Sequence, residues 1–231
     1  MADTLLGNFT DLVCSDCGVS GCEYKHWGPL VPKGARGSFC PACYSVRDLE
    51  SMQGREPRPL GKFSMLTALE LLESKLPKLL NDESDEEGWE SVFVNYHPPF
   101  VERVFGYWAG FRVSLHKIHP CAPEEALFHP HPWPSAMRIL SGQYEMAVGY
   151  GAGDTPPPVA AKLVLPAGTT YEMINRDAWH YVRPLDKPAF SLLITGTPWG
   201  RSAPKSDKPL QPLPKEKKEE IISFFREKYP V

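Results

Sequence analysis

The chain has 231 residues, of which 42% are hydrophobic, and its formal net charge at pH 7 is -3. This composition is sufficient for one principal hydrophobic core with a small additional module. Because acidic and basic residues are interspersed, no broad basic surface is expected. That pattern argues against nucleic-acid or membrane-surface binding as the main task and favours small-molecule or protein partners.

The first residues have neither the basic start nor the apolar segment of a secretion signal, and no apolar run reaches the roughly 18 residues of a membrane-spanning helix. Five of the six cysteines lie between Cys14 and Cys43. A disulfide-rich secreted domain usually distributes its cysteines through the chain. We therefore expect a cytoplasmic protein, with the nucleus as the alternative location.

Two Cys-x-x-Cys pairs lie in this segment, Cys14 with Cys17 and Cys40 with Cys43. Each pair bends the backbone so that both sulfurs face one point, and two such turns complete the tetrahedral shell of a zinc ion. The spacing between the pairs is close to that of zinc ribbons. We therefore predict a structural Zn(II) site, closed by four thiolates, that supplies most of the folding free energy of residues 1–60.

Cys22 and His26 allow a second arrangement. Cys14, Cys17, Cys22 and His26 form a possible ligand set of their own, which would leave Cys40 and Cys43 as a redox pair. The simpler interpretation makes Cys22 a small buried thiol and His26 a surface residue. We prefer the site made of the two Cys-x-x-Cys pairs.

Residues 61–88 are predicted to hold a helix and an acidic linker. Gly and Pro in residues 54–61 indicate a connector, and leucines at helical spacing predict a helix over residues 64–76 that packs on the domain that follows. Pro77 and the acidic residues 81–88 are predicted to end this helix. We expect that acidic run to be a solvated loop.

Residues 89–200 change to short β-rich runs separated by Pro and Gly clusters. The predicted strands cover residues 101–108, 111–119, 137–140, 144–150, 160–165, 171–175, 179–185 and 190–195. About eight strands with such turns predict an antiparallel sandwich or barrel. The fold class is therefore mainly β, with a few helices.

Residues 201–231 are predicted to form a Pro- and Lys-rich linker followed by a charged helix over residues 215–228. Ile221, Phe224, Phe225 and Lys228 lie along one face of this helix. We expect that face to pack on this chain or on the second subunit of a homodimer.

Three histidines in the β-rich region predict a metal site. His129 and His131 are two residues apart, so on a strand they point to the same face. His180 lies in a later predicted strand and supplies the third imidazole. Three neutral imidazoles bind Fe(II), Zn(II) or Ni(II) and leave positions for other ligands. The alternative is that His129, beside a proline, is an exposed turn residue.

These motifs resemble the cupin superfamily and, within it, the three-histidine thiol dioxygenases related to cysteine dioxygenase. The first motif is His129-Pro130-His131 with Gly142, and the second has the turn Pro166-Ala167-Gly168. The segment from Tyr171 to His180-Tyr181-Val182, with the later Pro188-Ala189-Phe190-Ser191-Leu192, is similar to the second motif of those dioxygenases. The resemblance covers about half the chain and implies a cupin-type β-barrel, or jelly roll.

The resemblance also implies a particular ligand set. Ser135 stands where most metal cupins have a glutamate ligand, which leaves a three-histidine shell. Thr195 stands where mammalian cysteine dioxygenases have a tyrosine crosslinked to a cysteine. No arginine is evident at the position of the family's substrate-carboxylate clamp. These departures argue against cysteine itself as the substrate.

Further candidates flank the motifs. Tyr144 and Glu145 follow Gly142 on the next predicted strand, and either residue is a candidate acid, base or fourth ligand. Core packing for Tyr144 and solvent exposure for Glu145 are the simpler interpretations. His116 and His119 are expected to be sheet-surface or loop histidines.

Two functions agree best with these residues; a third, an interaction scaffold that acts through the zinc module, is least attractive because the three histidines leave open coordination positions. The first is a mononuclear non-haem Fe(II) dioxygenase that acts on a small molecule, with a thiol as one candidate substrate. The second is a non-catalytic protein whose cavity binds a small ligand while the zinc module docks a macromolecular partner. The chemistry of the site must decide between them, because this fold hosts many unrelated functions.

Overall fold

The computed structural model describes residues 12–18, 22, 24–26, 29–61, 64–81, 88–202 and 204–231, with the backbone alone for residues 24–26. Most of the predicted acidic loop, at residues 82–87, and the side chain of His26 lie outside the described residues. The chain forms two compact units, Met1–Phe63 and Ser64–Val231. In the described part of the chain, no helix has the length and apolar character needed to cross a membrane.

Among its described residues, the first unit has two short strands and one helix. Strand β1, Tyr24–His26, pairs antiparallel with β2, Gly37–Phe39, and helix α1 follows at Pro41–Met52. A proline suits the first turn of a helix, because no backbone N–H is needed there. None of these elements was predicted. Strands of three residues are too short to show a periodic apolar pattern.

The second unit begins with helix α2, Met65–Asn81, and ends with helix α3, Lys215–Lys228. The strands between them are β3 Glu90–Val94, β4 Val101–Trp108, β5 Phe111–Ile118, β6 His129–Pro130, β7 Ser135–Ser141, β8 Gln143–Tyr150, β9 Ala161–Pro166, β10 Thr170–Met173, β11 Ala178–Pro184 and β12 Ala189–Thr195. The eight predicted strands and the C-terminal helix are confirmed, with strand ends shifted by at most two residues.

All strand pairs in the second unit are antiparallel. A six-stranded sheet has the order β10-β7-β12-β5-β4-β3, and a four-stranded sheet has the order β6-β11-β8-β9. Residues of both sheets line one cavity, so the sheets face each other across it. The predicted mainly β, antiparallel class is confirmed, although in the described residues the strands form two sheets and not one continuous hydrogen-bonded ring.

The predicted end of the first long helix at Pro77 was wrong, because α2 continues through this residue to Asn81. Leu76 and Leu80 are buried on either side of the proline. Burying each leucine contributes roughly 1.5–3 kcal/mol, which offsets the roughly 3 kcal/mol cost of a proline inside a helix. The amide of Asn81 donates to the carbonyl of Pro77 at 2.7 Å and satisfies an acceptor in the last turn.

Helix α3 packs its apolar face on its own chain. Ile221, Ile222 and Phe225 are buried, and the ring of Phe224 stacks on Phe190 with 4.0 Å between ring centroids. The helix contacts α2, β4 and β5. The apolar stripe predicted for residues 215–228 is therefore covered within the second unit.

Candidate metal centre and cavity

Four cysteine sulfurs of the first unit form a tight cluster. One sulfur from each of Cys14, Cys17, Cys40 and Cys43 lies within 4.8 Å of all the others, and Sγ of Cys17 lies 3.7 Å from Sγ of Cys40. In a tetrahedron with metal–sulfur bonds of about 2.3 Å, neighbouring sulfurs are about 3.8 Å apart. The cluster could therefore hold a metal ion.

A buried ion pair joins the two cysteine turns. Asp16 lies between Cys14 and Cys17, and Arg47 follows Cys43 by one helical turn in α1. Nε and Nη2 of Arg47 each donate to the Asp16 carboxylate at 2.7 Å. The other three N–H groups of this guanidinium donate to the carbonyls of Leu30, Arg58 and Pro59. All five donors of Arg47 are satisfied, so the two turns are held in one arrangement.

The cysteines that cluster in the structure are not those of the alternative ligand set, which included Cys22 and His26. Cys22 is fully buried but is not a member of the four-sulfur cluster. Burial, followed by the charges of Cys14 and Cys40, raises the pKa of Cys22 to about 12, which keeps it a neutral thiol at pH 7. The side chain of His26 lies outside the described residues.

The second unit brings the three predicted histidines to one cavity of about 210 Å³. His129 on β6 is the direct cross-strand partner of His180 on β11. The ring centroid of His180 lies 4.9 Å from that of His129 and 4.9 Å from that of His131. The ring of His180 therefore neighbours both of the others at one wall of the cavity.

Backbone carbonyls orient two of these rings. Nδ1 of His129 lies 2.8 Å from the carbonyl of Leu127, and Nδ1 of His131 lies 2.8 Å from that of Trp133. A carbonyl only accepts, so each Nδ1 carries the proton and each Nε2 keeps its lone pair. Nδ1 of His180 is buried without a hydrogen-bond partner among the described residues, as is expected of a nitrogen that meets a ligand absent from the protein chain.

Burial keeps the three imidazoles neutral. Burial lowers the pKa of His129 to about 4, and it outweighs the hydrogen bond with Leu127, which raises this pKa. Burial and then the charge of His129 lower the pKa of His131 to about 4. Burial also lowers the pKa of His180 well below its usual value. Neutral imidazoles are the form that binds a metal.

The histidine nitrogens are spaced more widely than the cysteine sulfurs. Among the described residues, the cysteines form the one group of three or more His, Cys, Asp or Glu ligand atoms that all lie within 4.8 Å of one another. Metal–nitrogen bonds of about 2.0–2.1 Å would bring the three nitrogens closer together. The donor set suits a divalent ion by its chemistry, and binding would require the imidazole side chains to rotate towards one another.

The structure adds an arginine and two histidines that the sequence did not assign to this cavity. Arg103 on β4 and His116 on β5 are cross-strand partners, and Nε of Arg103 donates to Nε2 of His116 at 2.9 Å. His97 also lines the cavity, with its ring centroid 6.2 Å from that of His129. The prediction that His116 lies on the sheet surface was wrong, since its side chain is buried and faces the other sheet.

Arg103 carries an unbalanced charge. Within the described residues, no carboxylate lies within 4.0 Å of its guanidinium. Burial and then the nearby charge of Arg112 lower the pKa of Arg103 to about 10, so it remains a cation at pH 7. No arginine was evident from the sequence as a carboxylate clamp, and the structure places Arg103 at the cavity wall.

Tyr144 and Glu145 are not among the residues that line this cavity. The Tyr144 ring is fully buried in the core, and its hydroxyl donates to Oγ of Ser191 at 2.7 Å. Glu145 accepts from the hydroxyl of Tyr181 at 2.9 Å and pairs with Arg183 at 3.0 Å. Neighbouring residues of β8 point to opposite faces of the sheet, so the two side chains have different surroundings. The structure brings neither residue to the three histidines.

Ser135 lies behind the first histidine pair. Its Oγ is 3.4 Å from Nδ1 of His131, on the side of the ring that faces the Trp133 carbonyl. Thr195 is the direct cross-strand partner of Ser135 between β7 and β12, and both are buried. Thr195, at the position where the resemblance implies a crosslinked tyrosine in other proteins, thus lies beside Ser135, and both residues carry hydroxyl groups here.

No protein-family model and no curated protein sequence matches the chain. Among solved structures, it is similar to hydroxypropylphosphonic acid epoxidase from S. wedmorenis, with a TM-score of 0.36 and 12% identity over 46% of this chain and 55% of that one. It is also similar to KdgF from Halomonas sp., with a TM-score of 0.35 and 13% identity over 46% and 87% of the two chains. A third match is an RmlC-like cupin from Shewanella frigidimarina, with a TM-score of 0.35 and 14% identity over 50% and 88%.

The chain thus spans about half the length of the epoxidase that it matches. All three TM-scores are low, with the highest at 0.36, so the fold class described above depends on the strand topology and not on these matches.

Proposed function

We propose that the chain is a cupin-type, metal-dependent dioxygenase in which His129, His131 and His180 hold one Fe(II) ion. The observation that carries the proposal is the meeting of three neutral imidazoles at the wall of one cavity, with the buried Nδ1 of His180 left without a partner among the described residues. Fe(II) bound in this way retains coordination positions for a small substrate and dioxygen.

The cavity walls favour a small substrate. The volume of about 210 Å³ is below the roughly 300–1,000 Å³ of most ligand pockets. Apolar side chains from both sheets, including Val101, Ile118, Val182 and Leu193, cover much of the lining. These residues exclude water from the histidines and strengthen the electrostatic interactions of a bound ligand.

Arg103 indicates that the substrate carries an anionic group. Its guanidinium is a cation at the cavity wall without a carboxylate partner among the described residues, so a bound carboxylate or similar anion would balance its charge. We therefore infer a small anionic substrate that is oriented by Arg103 at one end. The sequence resemblance makes small thiols the first compounds to test.

For the first unit, we propose that Cys14, Cys17, Cys40 and Cys43 bind a structural zinc ion. Four thiolates leave no open coordination position, so this ion would stabilise the fold and take no part in the reaction. The 3.7 Å distance between the sulfurs of Cys17 and Cys40 supports tetrahedral binding.

The test combines metal analysis with oxygen uptake. The full chain and its His129→Ala, His131→Ala and His180→Ala variants are purified, reconstituted anaerobically with Fe(II) and analysed for iron and zinc. We expect each variant to lose iron and keep zinc. Oxygen consumption is then measured with small thiols that carry a carboxylate and with matched thiols that carry an amide. We expect uptake by the wild type with the carboxylates.

His119→Ala is the matched control, because His119 is a partly exposed histidine that pairs with Glu102 at 3.2 Å and is not part of the cavity lining. It should keep both metals and the wild-type oxygen uptake. Unchanged iron content in all three cavity variants would contradict the metal site. Iron binding without oxygen uptake on any thiol would favour the ligand-binding protein without turnover.

A further inference from the structure

The contact between Arg103 and His116 fixes where the proton of His116 lies. At pH 7 the guanidinium is protonated, so its Nε carries a hydrogen and only donates. Because it donates to Nε2 of His116 at 2.9 Å, that ring nitrogen must present a lone pair. The ring proton is then on Nδ1, which is buried without a partner among the described residues.

The surroundings of His116 keep the ring neutral. His116 is 3% exposed. The charged groups that shift its pKa are two arginines, Arg103 and Arg112. Burial and then these positive charges lower the pKa of His116 well below its usual value. Protonation would also destroy the acceptor that Arg103 uses.

A neutral acceptor has an effect that a carboxylate would not have. An aspartate or glutamate at position 116 would orient Arg103 equally well, but it would cancel the positive charge of the guanidinium. A neutral imidazole engages only Nε and leaves the four N–H groups of Nη1 and Nη2 with the full charge. A planar anion can accept two parallel hydrogen bonds from such a group.

We propose that His116, as the neutral Nδ1-protonated form, is a positioning residue that fixes the guanidinium plane of Arg103 for a carboxylate in the cavity. This inference rests on the proposed function for the site of the anion, but not on the presence of iron or on turnover. The two residues are direct partners on neighbouring strands, so the sheet itself sets their distance. His116 acts on the ligand through Arg103.

The first experiment reads the tautomer in the full-length, ¹⁵N-labelled protein. Two-bond ¹H–¹⁵N correlations distinguish a protonated ring nitrogen from one with a lone pair, and the His116 signals are assigned by their loss in His116→Gln. We expect a protonated Nδ1, an unprotonated Nε2 and an Arg103 Nε–H signal that shifts in His116→Leu. A ring protonated on Nε2 or on both nitrogens would overturn the proposal.

The second experiment measures binding of propionate, with propionamide as the uncharged control, by titration of the Arg103 side-chain signals. His116→Gln keeps an oxygen acceptor near the position of Nε2, whereas His116→Leu removes it. We expect His116→Gln to retain the wild-type affinity and His116→Leu to bind propionate about tenfold more weakly. Equal propionate affinity in wild type and His116→Leu would contradict the positioning role.

The controls separate this inference from the proposed function. If wild type binds propionate no better than propionamide, Arg103 is not an anion site, and the positioning role falls with it. If propionate binding follows the expected order but no iron is bound, the dioxygenase proposal fails and the positioning role of His116 stands. If His116→Leu does not fold, the tautomer of the wild type and the affinity of His116→Gln still decide.

Discussion

Arg47 and Asp16 form two parallel hydrogen bonds of 2.7 Å, and their side chains are 1% and 0% exposed. The pair links the first cysteine turn to the helix that carries Cys43. A buried charge that loses its partner is strongly destabilising. The arrangement of the four sulfurs therefore depends on a residue that is not a ligand.

We predict that Arg47→Ala destabilises the first unit by about 3–5 kcal/mol, because it leaves the Asp16 carboxylate buried without its main partner. Arg47→Lys should restore little, since an ammonium group cannot make the two parallel hydrogen bonds. Zinc release to a chromogenic chelator during urea unfolding measures the effect. Arg55→Ala, at an exposed position in the same unit, is the control and should release zinc as the wild type does.

Loss of a single cysteine of the cluster should unfold one unit alone. We predict that Cys14→Ser or Cys40→Ser abolishes zinc binding and removes the structure of the first unit, because the proposed zinc site would supply most of its folding free energy. Iron bound by the histidines should remain. Cys121→Ser is the control, as Cys121 is a partly buried cysteine of the second unit. Loss of iron together with zinc in Cys14→Ser would contradict the independence of the two sites.

The Tyr144 hydroxyl should matter for stability and not for the cavity. Tyr144→Phe leaves the buried Oγ of Ser191 without its donor, so we predict a loss of about 1–2 kcal/mol in the free energy of unfolding. Iron content and ligand binding should not change, because the residue does not line the cavity. Thermal unfolding measures the loss of stability, and metal analysis measures the iron content. Reduced iron binding in a folded Tyr144→Phe protein would contradict this assignment.

At acid pH, the ion pair between helix α3 and strand β5 should lose its contribution to stability. Nζ of Lys117 lies 2.5 Å from a carboxylate oxygen of Glu220 and 3.5 Å from one of Glu102. The hydrogen bond with Lys117 lowers the pKa of Glu220 in the folded state. This contribution to stability is therefore present above the unfolded pKa of about 4.5 and is lost as the pH falls through the lower folded value.

Lys117 has the opposite dependence. Burial lowers its pKa, but the hydrogen bond and charge of Glu220, with the charge of Glu102, outweigh burial and raise it. The lysine contribution is lost only at alkaline pH, above the ordinary value of 10.5. We predict that Glu220→Gln costs about 0.5 kcal/mol at pH 7 and that the difference from wild type shrinks below pH 4.5. Urea unfolding at pH values from 7 to below 4.5 measures the difference in stability. Glu219→Gln, at an exposed position, is the control. A difference that does not shrink as the pH falls below 4.5 would contradict the ion pair.

The parts of the fold that the sequence predicts are those with local signals. Strand residues such as those of β4 and β8 are bounded by Gly and Pro, and the two Cys-x-x-Cys pairs have the spacing of a metal site. His129 and His131 share a face because side chains alternate along a strand. These inferences need no knowledge of which strands are neighbours.

Arg103 and His116 could not be found in this way. They meet because β4 and β5 pair in one particular register, and the pairing is a property of the whole sheet. From Phe111 to His116, strand β5 alternates apolar and polar residues, which is the pattern of a strand with one face in solvent, yet both of its faces are buried over most of its length. The local pattern therefore assigns His116 to a solvent-facing side of the sheet, whereas the structure directs it into the cavity and packs Lys117, on the other face, against Glu220 of α3.

Strand β6 consists of His129 and Pro130 alone, and it pairs with β11 through Trp179 and His180. Moving this short strand by one residue would place Pro130 opposite His180 and turn the His129 imidazole to the outer face. An insertion in the loop before β6 that caused this shift would separate the three histidines and leave the long strands intact. We therefore expect loop length, more than strand stability, to decide whether the three histidines can meet.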